Sequence, residues 1–105
     1  MHIGNVSLQD IIFIHGNAEL AIILGEKSCW NKGIGREAVR LLMEHGFKAL
    51  NLHRIWSGTF ETNIGFKKLA LSLGMIHEGT RRKAVFNNGV YLDVLEYGIL
   101  RDEFN

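Results

Sequence analysis

With 105 residues, 47% of them apolar and 22% charged, the chain has the size of one globular domain, residues 1–105, burying about two-thirds of its unfolded surface. A net charge of +1 removes bulk attraction to nucleic acid or an anionic membrane surface as a basis for function. Cys29 is the only cysteine, so no internal disulfide forms; no apolar run reaches the ~18 residues of a membrane span and the start lacks a signal peptide's pattern, so a reducing, cytoplasmic setting is expected.

Taken in order, residues 3–14 alternate well enough for a strand, with Ile3, Val6, Leu8, Ile11, Ile12 and Phe13 set between polar residues. His15-Gly16-Asn17 is a turn signal, and residues 18–24 return as an apolar strand, giving an antiparallel hairpin. Within that second strand, Glu19 shares a face with Ala21 and Ile23. If the face lines a cleft, desolvation raises the Glu19 pKa toward that of an amine-deprotonating base; if it meets solvent, Glu19 is a surface carboxylate.

The stretch that follows, residues 30–47, reads as a glycine loop opening into an amphipathic helix. Ala38, Val39, Leu42, Met43 and Phe47 recur at three- and four-residue steps on one face, and Arg40 and Glu44 are spaced for an i,i+4 ion pair. Gly33 and Gly35 flank the helix start, where backbone N–H groups lack intrahelical acceptors, and Lys32 and Arg36 add positive charge. Together with the helix dipole, Lys32, Gly33, Ile34, Gly35 and Arg36 make a cradle for a phosphate or pyrophosphate. The plainer alternative is a glycine-broken loop entering a surface helix. Gly33 and Gly35 with Ala38 superficially match a dinucleotide fingerprint, but that motif needs its strand to run straight into the first glycine, and seven residues separate Gly25 from Gly33.

Residues 54–60 form a third strand with Gly58 at its middle, and Asn63 is an N-cap candidate for a second helix, whose apolar stripe is Phe66, Leu69, Ala70 and Leu73. Two closing strands, residues 75–86 and 90–100, flank Asn87-Asn88-Gly89, a strong hairpin signal with both turn residues at positive φ. Arg81, Arg82 and Lys83 either grip an anion or form a solvated edge that discourages strand pairing. Tyr91, Asp93, Glu96 and Tyr97 are read as alternating along the last strand, some toward an acceptor pocket. The five histidines show no metal-ligand spacing, so no metal is expected.

The ordered set Ala18-Glu19-Leu20, residues 30–38, Leu50-Asn51-Leu52-His53-Arg54-Ile55, Asn63, Leu73-Gly74-Met75, Glu78-Gly79, Arg81-Arg82, Phe86, Asn88-Gly89 and Asp93 resembles the GCN5-related N-acetyltransferases. It is most similar to their ribosomal-protein alanine acetyltransferase branch, and the likeness covers nearly all of the chain. The resemblance implies an α/β (α+β) fold: a mixed, mostly antiparallel sheet flanked by helices in the order β-β-α-β-α-β-β. It further implies acetyl-coenzyme A as co-substrate, its pyrophosphate on Lys32 through Arg36, its pantetheine along the backbone of Ile22, Ile23 and Leu24 in a cleft between splayed strands, and contacts from Asn63 and Phe66. The implied reaction is direct attack by a primary amine, of a protein N-terminus or a small molecule, with backbone N–H groups near residues 20–22 polarising the carbonyl and a water-relayed base taking the amine proton; the catalytic candidates are Glu19, from its strand position, and Asn63. Gly58 stands where some relatives carry a glutamate base, and Ala70 where many carry a tyrosine acid. Family members usually begin with a further strand and two helices that form much of the acceptor site, so Met1 leading almost directly into the third family strand is expected to leave the cofactor half intact. A short enzyme completed as a homo-oligomer, a non-catalytic acetyl-coenzyme A-binding or interaction module, and a piece of a longer gene are the three accounts of that length.

Overall fold

In the computed structural model, which describes residues 4–24 and 34–104, the elements run β1 (Gly4–Ile12), β2 (Asn17–Leu24), α1 (Ile34–Lys48), β3 (Arg54–Phe60), α2 (Ile64–Ser72), β4 (Ile76–Asn87) and β5 (Val90–Leu100). A single 3-10 turn, Arg101–Glu103, follows β5; nothing in the sequence reading anticipated it. The class and element order are those expected. The strands form one mostly antiparallel sheet in the order β1-β2-β3-β5-β4, so β1 and β4 are its edges. Packing divides the chain inside β3 into two units, Met1–Ile55 and Trp56–Asn105.

In the first unit β1 and β2 pair antiparallel, Leu8 opposite Leu20 and Gln9 opposite Glu19. Paired residues share a face, and Ala18 and Leu20 are buried while Glu19 and Ala21 are only half-buried. Helix α1 buries the stripe expected of it: Val39, Met43 and Phe47 are sequestered, with Ala38 and Leu42 partly covered at its flanks. Each fully buried side chain of that size contributes roughly 1.5–3 kcal/mol. Gly46 lets this helix lie close to the hairpin. A Cβ built there would stand 2.9 Å from Leu8 Cδ1 and 3.2 and 3.3 Å from the tips of Leu52 and Ile55. Helix α1 therefore covers the Leu8–Leu20 face, and Glu19 lies on the other.

The ion pairs on α1 differ from the expected Arg40–Glu44. Arg40 turns back to Glu37 at 3.3 Å, and Glu44 takes Lys48 at 3.2 Å. Helical side chains lean toward the N-terminus, so an acid preceding its base is the better order, and both observed pairs have it. The hairpin turn at residues 13–16 is also more than a linker. The Gly16 carbonyl accepts the N–H groups of His53 at 2.6 Å and Arg54 at 3.0 Å, tying the turn to the start of β3. Gly16 holds φ +68°, and a Cβ there would meet His53 at 3.3 Å, so glycine is required twice over.

In the second unit Asn63 caps α2, which ends at Leu73 before Gly74 at φ +86°. Ala70, Leu73, Met75, Leu92, Tyr97 and Ile99 are buried, so the α2 stripe packs as its spacing predicts. The space left by Gly58 is taken by the neighbouring strand: its Cβ would stand 3.3 Å from Val94 Cγ1. Asn88 and Gly89 turn the β4–β5 hairpin at φ +51° and +82°, the two positive values the Asn-Gly signal requires. Tyr91, Asp93, Glu96 and Tyr97 do not share a face. Two register shifts interrupt the β4–β5 pairing, and the adjacent Glu96 and Tyr97 point apart, Tyr97 into the core and Glu96 to an ion pair with Arg81. β4 is exposed nearly throughout, with a kink at Lys83 (φ +52°) whose N–H donates to Asp93 Oδ1 at 2.8 Å. A charged, bulged edge strand is what residues 81–83 build.

Gly46→Val would force a branched side chain into the Leu8, Leu52 and Ile55 contact. It is expected to lower stability by about 1–3 kcal/mol in urea unfolding; an unchanged midpoint would show that α1 does not depend on that close approach.

Candidate functional site

Of the expected loop, Lys32 and Gly33 lie outside the described residues. Ile34 is the first residue of α1, and Gly35 and Arg36 complete its opening turn, Gly35 buried and Arg36 exposed. The opening N–H groups of a helix have no intrahelical acceptor; Gly35 places no side chain over them, and Arg36 adds a cation to the turn. The acid of the first turn, Glu37, is held by Arg40 and so is drawn along the helix. These residues fit an anionic ligand such as a pyrophosphate. Ile22, Ile23 and Leu24 form the end of β2, where β1 occupies one backbone edge through the pairs Ile22–Val6, Ile23–Asn5 and Leu24–Gly4.

Glu19 is half-buried on the sheet face that α1 leaves uncovered. Burial, then a side-chain hydrogen bond with Asp10, then the like charge of Asp10, hold its carboxyl above the usual carboxylate range. This is the direction an amine-deprotonating base needs. Asp10 was not among the expected site residues. Its position at a break in the β1 register is invisible to periodicity, because regular alternation would place it on the face opposite Gln9 and Glu19.

Asn63 lies in the second unit and caps α2: its Oδ1 accepts the Phe66 N–H at 3.0 Å, leaving Nδ2 as a donor. Phe66, in the first turn of α2, tilts against Tyr97 with ring centroids 6.2 Å apart, and Tyr97 lies tilted against His77 in turn, centroids 5.4 Å apart. The first unit thus brings together Glu19 and Asp10, and the second Asn63 and Phe66. Among the described residues no group of His, Cys, Asp or Glu could hold a metal ion, and no helix is long and apolar enough to cross a membrane.

The profile of the acetyltransferase (GNAT) domain matches residues 1–76, from β1 through α2. The chain belongs to the GNAT acetyltransferase family. A probable N-acetyltransferase of Bacillus subtilis, YjcK, is 39% identical over 103 residues, covering 96% of this chain and 56% of that protein. The spermidine N(1)-acetyltransferase of Vibrio cholerae is 32% identical over 102 residues, 97% of this chain and 58% of that protein. The crystal structure of spermidine N-acetyltransferase from Vibrio cholerae in complex with CoA and spermine superposes with a TM-score of 0.88 at 33% identity, over 96% of this chain and 59% of that one. The chain spans about half the length of the curated relatives it matches.

The charge state of Glu19 links to stability with a definite sign. A carboxyl held above its ordinary range binds its proton more tightly folded than unfolded, so its ionisation costs stability as pH rises through that range. Glu19→Gln, which cannot ionise, is expected to melt above the parent at pH 7, with the difference vanishing below the usual carboxylate range. Equal melting at both pH values would mean that Glu19 titrates normally. Asn63→Ala removes a side-chain cap and should cost about 1 kcal/mol in urea unfolding.

Proposed function

We propose that the GNAT family chain is an N-acetyltransferase that uses acetyl-coenzyme A to acetylate a primary amine, with polyamines as the first acceptor class. The family match to residues 1–76 carries this reading, since it spans both the opening turn of α1 and the cap of α2. It also runs across the division at Ile55, which supports one functional domain over residues 1–105. The relatives named for spermidine favour a polyamine acceptor over the protein N-terminus of the ribosomal branch.

In this reading Lys32, Gly33, Ile34, Gly35 and Arg36 hold the pyrophosphate, the backbone of Ile22, Ile23 and Leu24 lies along the pantetheine, and Phe66 packs against the bound ligand. The thioester of acetyl-coenzyme A supplies the activated acetyl group. Glu19 accepts the proton of the acceptor amine, directly or through one water. Asn63, with Oδ1 committed to the Phe66 N–H, directs Nδ2 to the departing sulfur. Proton exchange is thereby assigned to a side chain whose environment favours holding a proton. A reducing, cytoplasmic compartment suits the single Cys29, and self-association suits the exposed Ile12, Phe13 and Ile14 where edge strand β1 ends.

Calorimetric titration with acetyl-coenzyme A, with NAD as control, is expected to show micromolar binding to acetyl-coenzyme A alone. Coenzyme release should then appear with spermidine and not with an alanine-terminated peptide; the reverse preference would shift the acceptor to protein N-termini. Because Gly35 is buried, Gly35→Glu needs a folding check by circular dichroism; a folded variant that still binds acetyl-coenzyme A removes the loop from the site. Absence of binding by the folded parent would leave a non-catalytic interaction module as the better account.

A further inference from the structure

The pairing of β1 with β2 breaks between Gln9, opposite Glu19, and Ile12, opposite Asn17. Asp10 and Ile11 therefore stand against Ala18 alone, a one-residue bulge. At this bulge Asp10 takes φ +47°, a left-handed value that Asp and Asn tolerate better than most residues. An unbroken strand would turn Asp10 away from the Gln9–Glu19 face. The bulge re-aims it, and its side chain shares a hydrogen bond with Glu19. Two carboxyls can share a hydrogen bond only with a proton between them.

We propose that Asp10 is a positioning residue for Glu19: across the β1 bulge it accepts a hydrogen bond from the protonated Glu19 carboxyl, orienting that carboxyl and stabilising the proton it takes from an acceptor amine. The inference rests on the acetyltransferase reading above and adds a second residue to its proton acceptor. In the step it serves, the amine nitrogen forms the new C–N bond with the acetyl carbon while the C–S bond breaks and its electron pair leaves on sulfur. The amine proton passes to Glu19, with Asp10 accepting from it, and the coenzyme thiolate takes a proton from solvent. Among the described residues, Asp10 is the only charged group acting on Glu19 from β1, β2 or the helix packed on them; α1 lies against the opposite, Leu8–Leu20 face.

The test is Asp10→Asn, which keeps the shape and the tolerance for φ +47° and removes the charge. Carbon-detected NMR titration of the Glu19 carboxyl is expected to show its midpoint moving to lower pH in the variant. The acid limb of the pH profile of kcat/KM, measured with acetyl-coenzyme A and spermidine, should move by the same interval. The plateau kcat should fall several-fold with KM for acetyl-coenzyme A unchanged. A Glu19 midpoint that stays in place overturns the proposal, as does a midpoint that moves while the acid limb does not, since the pair would then be structural only. If Asp10→Asn fails to fold, Asp10→Gly relieves the backbone and gives the same readouts. Failure of the broader reading is distinguishable, because it appears as an inactive parent protein before any variant is compared.

Discussion

The close seating of α1 on the β1–β2 hairpin is the constraint on which the first unit depends. It comes down to one missing side chain, that of Gly46, which lets the helix approach Leu8 to van der Waals distance. With the helix so placed, Val39, Met43 and Phe47 fall into the same buried layer as Ala18 and Leu20. The same seating decides which face of β2 is closed. Period two then assigns Glu19 to the open face without any further specification. Helix packing and the exposure of a candidate base are thus two consequences of one contact, and a looser helix would blur both.

Electrostatics on α1 follow from the direction of its side chains. Glu37 with Arg40 and Glu44 with Lys48 both run acid before base, in keeping with the dipole and with the backward lean of helical side chains. Both pairs lie at the surface, where solvent screens them, so they add little to stability. Their larger effect is on the opening turn. Arg40 holds Glu37, the acid of the first turn, in an ion pair.

Much of this was legible in the sequence because it is periodic or local. The strand at residues 54–60, the stripe Val39, Met43 and Phe47, the Asn63 cap and the Asn88–Gly89 turn each follow from spacing or from one residue's backbone preference. What escaped is where the ladders break. The alternation read for Tyr91, Asp93, Glu96 and Tyr97 failed because Glu96 and Tyr97 are neighbours, and neighbouring strand residues point to opposite faces; the extra residues at the β4–β5 register shifts lie on β4. Asp10 escaped because its approach to Glu19 depends on a bulge in its own strand, an irregularity that no repeat encodes. Arg40 chose Glu37 over Glu44 on side-chain direction, which spacing alone does not carry.

The two hairpin turns, alike in being surface connections, differ in what they can absorb. At residues 88–89 a side chain on Gly89 would meet nothing within 4 Å, so a peptide tag or a fused domain inserted there would hang from the β4–β5 hairpin as from a free end. At residues 13–16 the Gly16 carbonyl is bound to two consecutive N–H groups at the entry to β3. Lengthening that turn would withdraw the one carbonyl that both N–H groups share and release the leading residues of β3. For engineering by insertion the chain therefore has one permissive tip and one that is part of its framework.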